Sequence, residues 1–443
     1  YTDYQKSNNL DQTRDFLNAI AGTLLIFLFV FTVLVLIFAP IFIFIFAPGF
    51  YFDPIKQNIS IDVLRIMFPY LALISLVAFA GGIQNTHQKF SVPAFTPVIF
   101  NLCLIVSAIF IAPLYDMPIY VLAWGVLLAG MLQLLIQISP LLSINRLPVP
   151  KLDIKNPGLR KFFKLILPAI LAGGVIQINL LIDTIFASLL ETGSPTWLYV
   201  SDRLIQFPMG IFAIAIGTIL LPTLSNIDLE KEKNVFIKNI KKGQKFVLFI
   251  GIPSLIGLFF CAEDLISTIF YRGEFTELDV FKSSYSLMAF SIGLPFFMLM
   301  KVLTPAFFAR KDTKTPMYVA FISLILNAFF NYLLAFVLGF GHVGLAIGSS
   351  IAALISVLIL ETILYKQGFI KITNIFNRFN FMILISSLFL IVFLNFYTTN
   401  TNFIEFNQIE RLFYLSIEIL VSIFIYFFIA RIINGKSLRT LFN

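Results

Sequence analysis

Charge is scarce in this sequence. Asp, Glu, Lys and Arg make up 12% of 443 residues, against 59% hydrophobic. With a mean hydropathy of +0.94, that balance excludes an ordinary soluble domain and predicts a protein that crosses a membrane many times. Cysteine is nearly absent. Cys103 and Cys261 both lie in apolar runs without paired spacing, which leaves no disulfide framework and no zinc motif. The two histidines, His87 and His342, sit far apart in loop-like stretches and give little basis for a metal site. No glycine-rich phosphate loop occurs, so a self-contained ATP-driven pump is excluded. No catalytic triad or acid pair is visible either.

Apolar runs of roughly twenty residues fill most of the chain. The first extends from about Phe16 to Phe46, and others follow near 61–82, 93–113, 118–142, 162–190, 197–222, 244–262, 284–308, 316–338, 343–365, 379–397 and 412–433. They predict an all-α polytopic helix bundle of about twelve spans. The net charge of +8 is a matter of topology here, not of nucleic acid. One set of alternate loops carries Lys6 and Arg14, Lys89, Arg146 to Lys164, Lys231 to Lys245, Arg310 to Lys314, Lys366 to Arg378, and Arg431 to Arg439. The other set holds little more than Lys56, Arg272, Lys282 and Arg411 among acids such as Asp53, Asp116, Glu191, Asp264, Glu274 and Glu277. Positive loops stay cytoplasmic, which puts both visible termini inside, with membrane lipids as the chain's surroundings.

An internal repeat is visible. Ala39–Phe50 resembles Ala262–Phe275, and Asn85–Asn101 resembles Phe307–Asn327. By subtraction the offset is 223 (Ala39 to Ala262) to 226 (Asn101 to Asn327). Both copies run in the same direction with the same sidedness, as in a parallel repeat about an axis along the membrane normal. The expected organisation is an N-terminal lobe over 1–143, a basic cytoplasmic linker over 144–161, a C-terminal lobe over 162–368 and two accessory helices over 369–443. The second copy starts near Phe162, so the repeat predicts a first copy beginning about 60 residues before Tyr1 and a complete protein of about fourteen spans.

The stretch Lys164–Ser225 concentrates the unusual residues. It is apolar enough for two spans, yet it carries Asp183, Asp202 and Arg203, together with Pro168, Gly173, Gly174, Pro208, Gly210 and Pro222. Charges at membrane depth cost a few kcal/mol each and mark cavities or partners. Helix breakers are tolerated where freed backbone lines protein or water. Arg203 has two readings: a guanidinium in a cavity gripping phosphate oxygens, or one half of an ion pair with Asp202 or a snorkelling side chain. Asp183, Asn327, Asn331 and Ser349, with Gln177, Asn179 and Ser350 nearby, also have two. Their oxygens suit a small hard cation, and they equally suit interhelical hydrogen bonds worth about 1 kcal/mol each. Lys301 lies in an apolar span and is expected to face a cavity. Glu361 and Glu418 also interrupt apolar runs and receive no role.

Four blocks resemble the MurJ (MviN) family of lipid II flippases, within the multidrug/oligosaccharidyl-lipid/polysaccharide exporter superfamily. They are LPAILAGGVIQINLLIDTIFASLL at Leu167–Leu190, YVSDRLIQFPMGIFAIAIGTILLPTLS at Tyr199–Ser225, GGIQNTHQKFSVPAFTPVIFN at Gly81–Asn101 and TPAFFARKDTKTP at Thr304–Pro316. The resemblance covers essentially the whole chain. It implies a transporter that moves lipid II, the undecaprenyl-diphosphate-linked MurNAc-pentapeptide-GlcNAc, from the inner to the outer leaflet of the bacterial inner membrane. In the family two six-helix lobes form a cationic cavity, and two extra helices line a groove for the lipid tail. The family's cavity arginine falls on Arg203, with Asp202 and Lys301 as companions in substrate binding. Its sodium site falls on Asp183, Asn327, Asn331 and, less closely, Ser349, with Na+ as a coupling ion and no other cofactor. A monomer, with the cell-wall synthesis machinery as its neighbour, is the expectation. The family's remaining key arginines and an aspartate lie in two first helices that this sequence lacks. Competing readings are a sister exporter of drugs or another lipid-linked oligosaccharide, a polyprenyl-phosphate glycosyltransferase, and a non-transporting scaffold.

Overall fold

Helices account for nearly every residue that the computed structural model describes, namely 10–153, 156–370 and 377–442. The side chains of 10, 165, 167–173, 175–176 and 436–442 also lie outside that description, and with them Pro168 and Gly173. So do the topology residues Lys6, Lys155, Lys371, Lys436 and Arg439. In chain order the helices are α1 (Leu10–Ile37), α2 (Ala39–Phe46), α3 (Pro48–Tyr51), α4 (Pro54–Met67), α5 (Pro69–Thr86), α6 (Ser91–Val106) and α7 (Pro118–Ser143). There follow α8 (Pro157–Ser188), α9 (Ser194–Pro208), α10 (Ile214–Ser225), α11 (Lys233–Phe260), α12 (Ala262–Phe270) and α13 (Glu277–Phe308). The last four are α14 (Lys314–Tyr332), α15 (Gly341–Lys366), α16 (Arg378–Asn400) and α17 (Gln408–Phe442). Among the described residues, 11 helical segments are long and apolar enough to cross a membrane. The 32-residue α8 stands in addition to these and is the further span in the sequence reading.

The chain divides into two compact units, Tyr1–Gly173 and Gly174–Asn443, so the division falls inside α8 and not at its start. From α1 to α7 and from α11 to α15 the boundaries repeat closely, with α4 and α5 together matching the single helix α13. Leu10–Ile37 and Lys233–Phe260 are offset by 223 at both ends, as are Pro118–Ser143 and Gly341–Lys366. The short helices α2 and α12 start at the same offset. A π-helical turn ends α6 at Ser107–Ile111 and another ends α14 at Leu333–Val337, offset by 226. The extra three residues lie in α14, which has 19 residues against 16 in α6. They are given back in the next connection, 338–340 against 112–117. That explains why the sequence shows two offsets.

Local chemistry sets the helix ends. Asp53 caps α4 by accepting from the Ile55 and Lys56 amides, with Pro54 at the first helical position. Thr276 and Asp279 form a capping box at α13. Four helices close on the same double hydrogen bond. Lys89 N bonds Gln84 O and Gln88 N bonds Asn85 O; Arg146, Asp312 and Phe369 repeat the pattern at the ends of α7, α13 and α15. The left-handed residue that this closure needs is Gln88, Asn145, Lys311 or Gly368, with φ of 58°, 52°, 61° and 71°. Gln88 to Lys311 and Asn145 to Gly368 are each 223 apart, so the repeat extends to single backbone conformations.

In the first unit α7 packs on α4, α5 and α6. Buried Gln84, Gln133 and Gln137 tie these helices together: Gln84 donates to Gln137 Oε1, and Gln133 donates to Thr96 O at 2.8 Å. In the second unit α13 is the central helix and packs on α9, α10, α11, α12 and α15. The accessory helices α16 and α17 pair with each other and lean on α11 and α12. Phe249 and Tyr426 sit in that joint, both essentially buried, with ring centroids 5.3 Å apart.

Candidate functional site

The second unit contains a cavity of about 550 Å³ whose polar lining includes Asn179, Asp183, Tyr199, Asp202, Gln206 and Ser349. Two of the residues named from the sequence, Asp183 and Ser349, line it, and Asn331 and Asn327 join them. Asn331 Nδ2 on α14 donates to Asp183 Oδ1 on α8 at 2.7 Å and to Asn327 Oδ1 at 3.0 Å. Asn327 Nδ2 in turn donates to Ser349 Oγ on α15 at 2.9 Å. Asn179, one turn before Asp183, approaches its other oxygen at 3.4 Å. Asp183, Asn331, Asn327 and Ser349 therefore form one hydrogen-bonded chain across three helices. The spacing follows from the helix: Asn327 and Asn331 are four apart and share a face.

One atom in this chain lacks a partner. Asn331 is fully buried, and its Oδ1 has no hydrogen bond among the described residues. It faces Gly348 on α15, where a built Cβ would stand 2.2 Å from that oxygen and 3.0 Å from the Asn331 amide. Only glycine lets α15 come this close to α14. Ser350, the other hydroxyl named from the sequence, turns away and donates to Ala289 O on α13 at 3.0 Å. Gln177 is exposed.

Asp202 and Arg203 separate. Asp202 lines the cavity and accepts from Gln206 one turn on. Arg203 is exposed and lies over the Tyr199 ring, 4.7 Å from its centroid. No ion pair joins the two neighbours among the described residues. Lys301 is also exposed and does not line this cavity. Its backbone oxygen faces Gly217 on α10, at 3.2 Å from a built Cβ.

Other groups stand apart from this cluster. His342 is buried; its Nε2 donates to Lys282 O at 3.0 Å, and its ring packs 4.8 Å from Trp197. His87 lies in the first unit, and Cys103 and Cys261 are free thiols. Among the described residues no group of three His, Cys, Asp or Glu could hold a metal ion. Glu418, without a role in the sequence analysis, is fully buried beside Asp264. Its signal was present as an acid in the middle of an apolar run.

The family model for the lipid II flippase MurJ matches residues 1–415. A probable lipid II flippase MurJ of Vibrio cholerae is 38% identical over 380 residues, covering 84% of this chain and 72% of the relative. The corresponding protein of Haemophilus influenzae is 38% identical over 371 residues, covering 81% and 72%. The lipid II flippase MurJ of Burkholderia cenocepacia is 34% identical over 370 residues, covering 83% and 71%. Among solved structures, a lipid II flippase MurJ in an inward closed conformation superposes with a TM-score of 0.81 at 25% identity, over 99% of this chain and 87% of that one. An inward-facing multidrug transporter of the MATE family shares the fold at a TM-score of 0.63 and 15% identity, over 81% and 83%.

Proposed function

Because the chain belongs to the lipid II flippase MurJ family, we propose that it moves lipid II from the inner to the outer leaflet of the bacterial inner membrane by alternating access. The observation that carries this reading is the family match over residues 1–415. Such a transporter needs cations for the diphosphate, a polar path for the sugars and peptide, and no covalent step. Arg203 and Lys301 are our candidates for the diphosphate. Both are exposed cations, and the Arg203 guanidinium matches phosphate oxygens two at a time. Asp202 faces a cavity from which it can accept hydrogen bonds from head-group hydroxyls or amides. Moving one net charge across 100 mV is worth about 2.3 kcal/mol, enough to bias the cycle. A monomer with both ends cytoplasmic, working beside the cell-wall synthesis machinery, belongs to the same proposal.

Asp183, Asn327, Asn331 and Ser349 would hold a sodium ion. Their carboxylate, amide and hydroxyl oxygens suit a hard cation, and the buried Asn331 Oδ1 has no hydrogen bond among the described residues to compete with it. Bound there, the ion would neutralise the Asp183 carboxylate within the helix bundle. Asn179 and Asn331 orient that carboxylate, and Asn327 couples it to Ser349 on α15.

The test is rescue of bacteria depleted of their own lipid II flippase by a full-length protein containing this chain, with outer-leaflet lipid II as the readout. Rescue that Arg203→Ala abolishes at equal membrane expression is the expected result. Rescue that survives Arg203→Ala removes Arg203 from the site, and failure of a well-expressed chain to rescue overturns the flippase reading. For the cation, purified protein should melt later in sodium than in potassium. A ligand at one hundred times its Kd stabilises by about 2.7 kcal/mol, and Asp183→Asn should remove the difference.

A further inference from the structure

Glu418 lies about a third of the way along α17 and is fully buried. Its helix face points into the unit: Arg411, Leu415, Glu418 and Tyr426 are all buried, at spacings of four, three and eight residues. Opposite Glu418 on the short helix α12 is Asp264, 5% exposed. Glu418 lies against both Asp264 and the buried Cys261 thiol. Yet neither Glu418 oxygen has a hydrogen-bond partner among the described residues, and Asp264 Oδ2 has none either. Two carboxyls thus face each other, with no hydrogen-bond donor but the weak Cys261 thiol against them among the described residues.

The neighbouring charges do not supply one. Arg411, two turns before Glu418, is buried but spent on carbonyls: Phe403 O at 2.7 Å, Ile404 O at 2.9 Å and Tyr271 O at 3.3 Å, with its guanidinium over the Tyr271 ring. Tyr397 on α16 faces the pair, but its hydroxyl donates to Tyr414 O at 3.0 Å. Glu263, next to Asp264, adds only more negative charge. Two ionised carboxylates in contact inside an apolar bundle repel each other and lack solvation, whereas a shared proton turns the same contact into a short, strong hydrogen bond.

We propose that Asp264 and Glu418 bind an exchangeable proton between them and that this proton fastens the accessory helix α17 to α12. Burial first, and then the Glu418 charge, holds the Asp264 carboxyl well above the usual carboxylate range. An acid whose pKa is raised in the packed state favours packing while protonated, and that contribution is lost as pH rises through the raised value. The joint is therefore closed at neutral and acid pH and loosens in alkali. Gln408 Nε2 to Thr268 O at 2.8 Å and Tyr426 Oη to Phe249 O at 2.9 Å hold α17 on either side, so the opening is local to the acid pair.

Cys261 is a built-in reporter. Its burial shields the thiol from reagent while the joint is closed. In a Cys103→Ser chain in lipid nanodiscs, N-ethylmaleimide labelling of Cys261 is measured from about pH 6 to about pH 9, each rate divided by that of the denatured chain at the same pH to remove the thiol's own titration. The ratio should rise at least about tenfold across that range, and should stay flat in the Asp264→Asn/Glu418→Gln variant, whose amide pair cannot ionise. Infrared spectra of the natural chain minus that variant should show a protonated-carboxyl carbonyl band at neutral pH that fades in alkali. A flat ratio in the natural chain, or no such band, overturns the proposal. So does protection of Cys261 by sodium at constant alkaline pH, which would make the pair a metal-ion site.

Discussion

At the scale of single residues, the cavity wall depends on a side chain that is absent. Gly348 carries no chemistry, yet a methyl group there would stand 2.2 Å from Asn331 Oδ1. Asn331 cannot retreat without releasing Asp183 and Asn327, since one amide group holds both. Gly348→Ala should therefore destabilise the protein by about 1–3 kcal/mol and reduce any sodium-dependent rise in melting temperature. Gly257→Ala is the control. Nothing lies within 4 Å of its built Cβ, so that change should be neutral or stabilising by up to about 1 kcal/mol through helix propensity. A Gly348→Ala chain as stable as the natural one would mean that the close approach of α14 and α15 is not needed. The sequence disclosed the polar members of this cluster, because Asp183, Asn327 and Asn331 interrupt apolar runs. It could not disclose Gly348, whose role exists only through its distance from another helix. Nor could it separate Asp202 from Arg203. Adjacent residues on a helix point about 100° apart, so neighbours in sequence need not share a cavity.

At the scale of helices, proline is the recurring perturbation, and its effects are repaired from elsewhere in the fold. Pro253 in α11 has no N–H to give to Phe249 O, the carbonyl one turn back. Phe249 is fully buried, so water cannot replace that bond. Tyr426 of α17 does: its hydroxyl donates to Phe249 O at 2.9 Å. In α6 the Thr96 hydroxyl does the same for Pro93 O, which Pro97 leaves open. Tyr426→Phe should therefore cost about 1–3 kcal/mol, because it removes a donor from a buried carbonyl that Pro253 cannot serve. The same change should cost less in a Pro253→Ala background, where the helix satisfies its own carbonyl. Equal costs in the two backgrounds, measured by thermal or denaturant unfolding, would separate the tyrosine from the proline. The helices and their repeat were legible in the sequence, because apolar period and basic turns recur at fixed offsets. This long-range repair was not, since Tyr426 and Pro253 are 173 positions apart by subtraction.

At the scale of the whole molecule, the repeat and the charge pattern make one joint prediction. Corresponding turns of the two units share not only sequence but backbone conformation, down to the left-handed residues at Gln88 and Lys311. A parallel repeat requires corresponding turns to lie on the same side of the membrane, and the excess of Lys and Arg predicts that this side is the cytoplasm. The residues Lys89, Asp116, Glu230 and Glu274 are all exposed and sample one turn of each kind from each unit. Each is replaced by cysteine in a Cys103→Ser/Cys261→Ser chain, and right-side-out spheroplasts are treated with a membrane-impermeant maleimide. Cysteine at 116 and at 274 should label in intact spheroplasts, whereas cysteine at 89 and at 230 should label only after the membrane is opened. The opposite pattern in both units would keep the repeat and reverse the orientation, so that loop charge would not be what sets it. Opposite patterns in the two units would break the parallel relation itself, because an inverted repeat exchanges the sides of corresponding turns. The shared left-handed closures would then reflect helix-ending chemistry alone, with no common ancestry of the two lobes behind them.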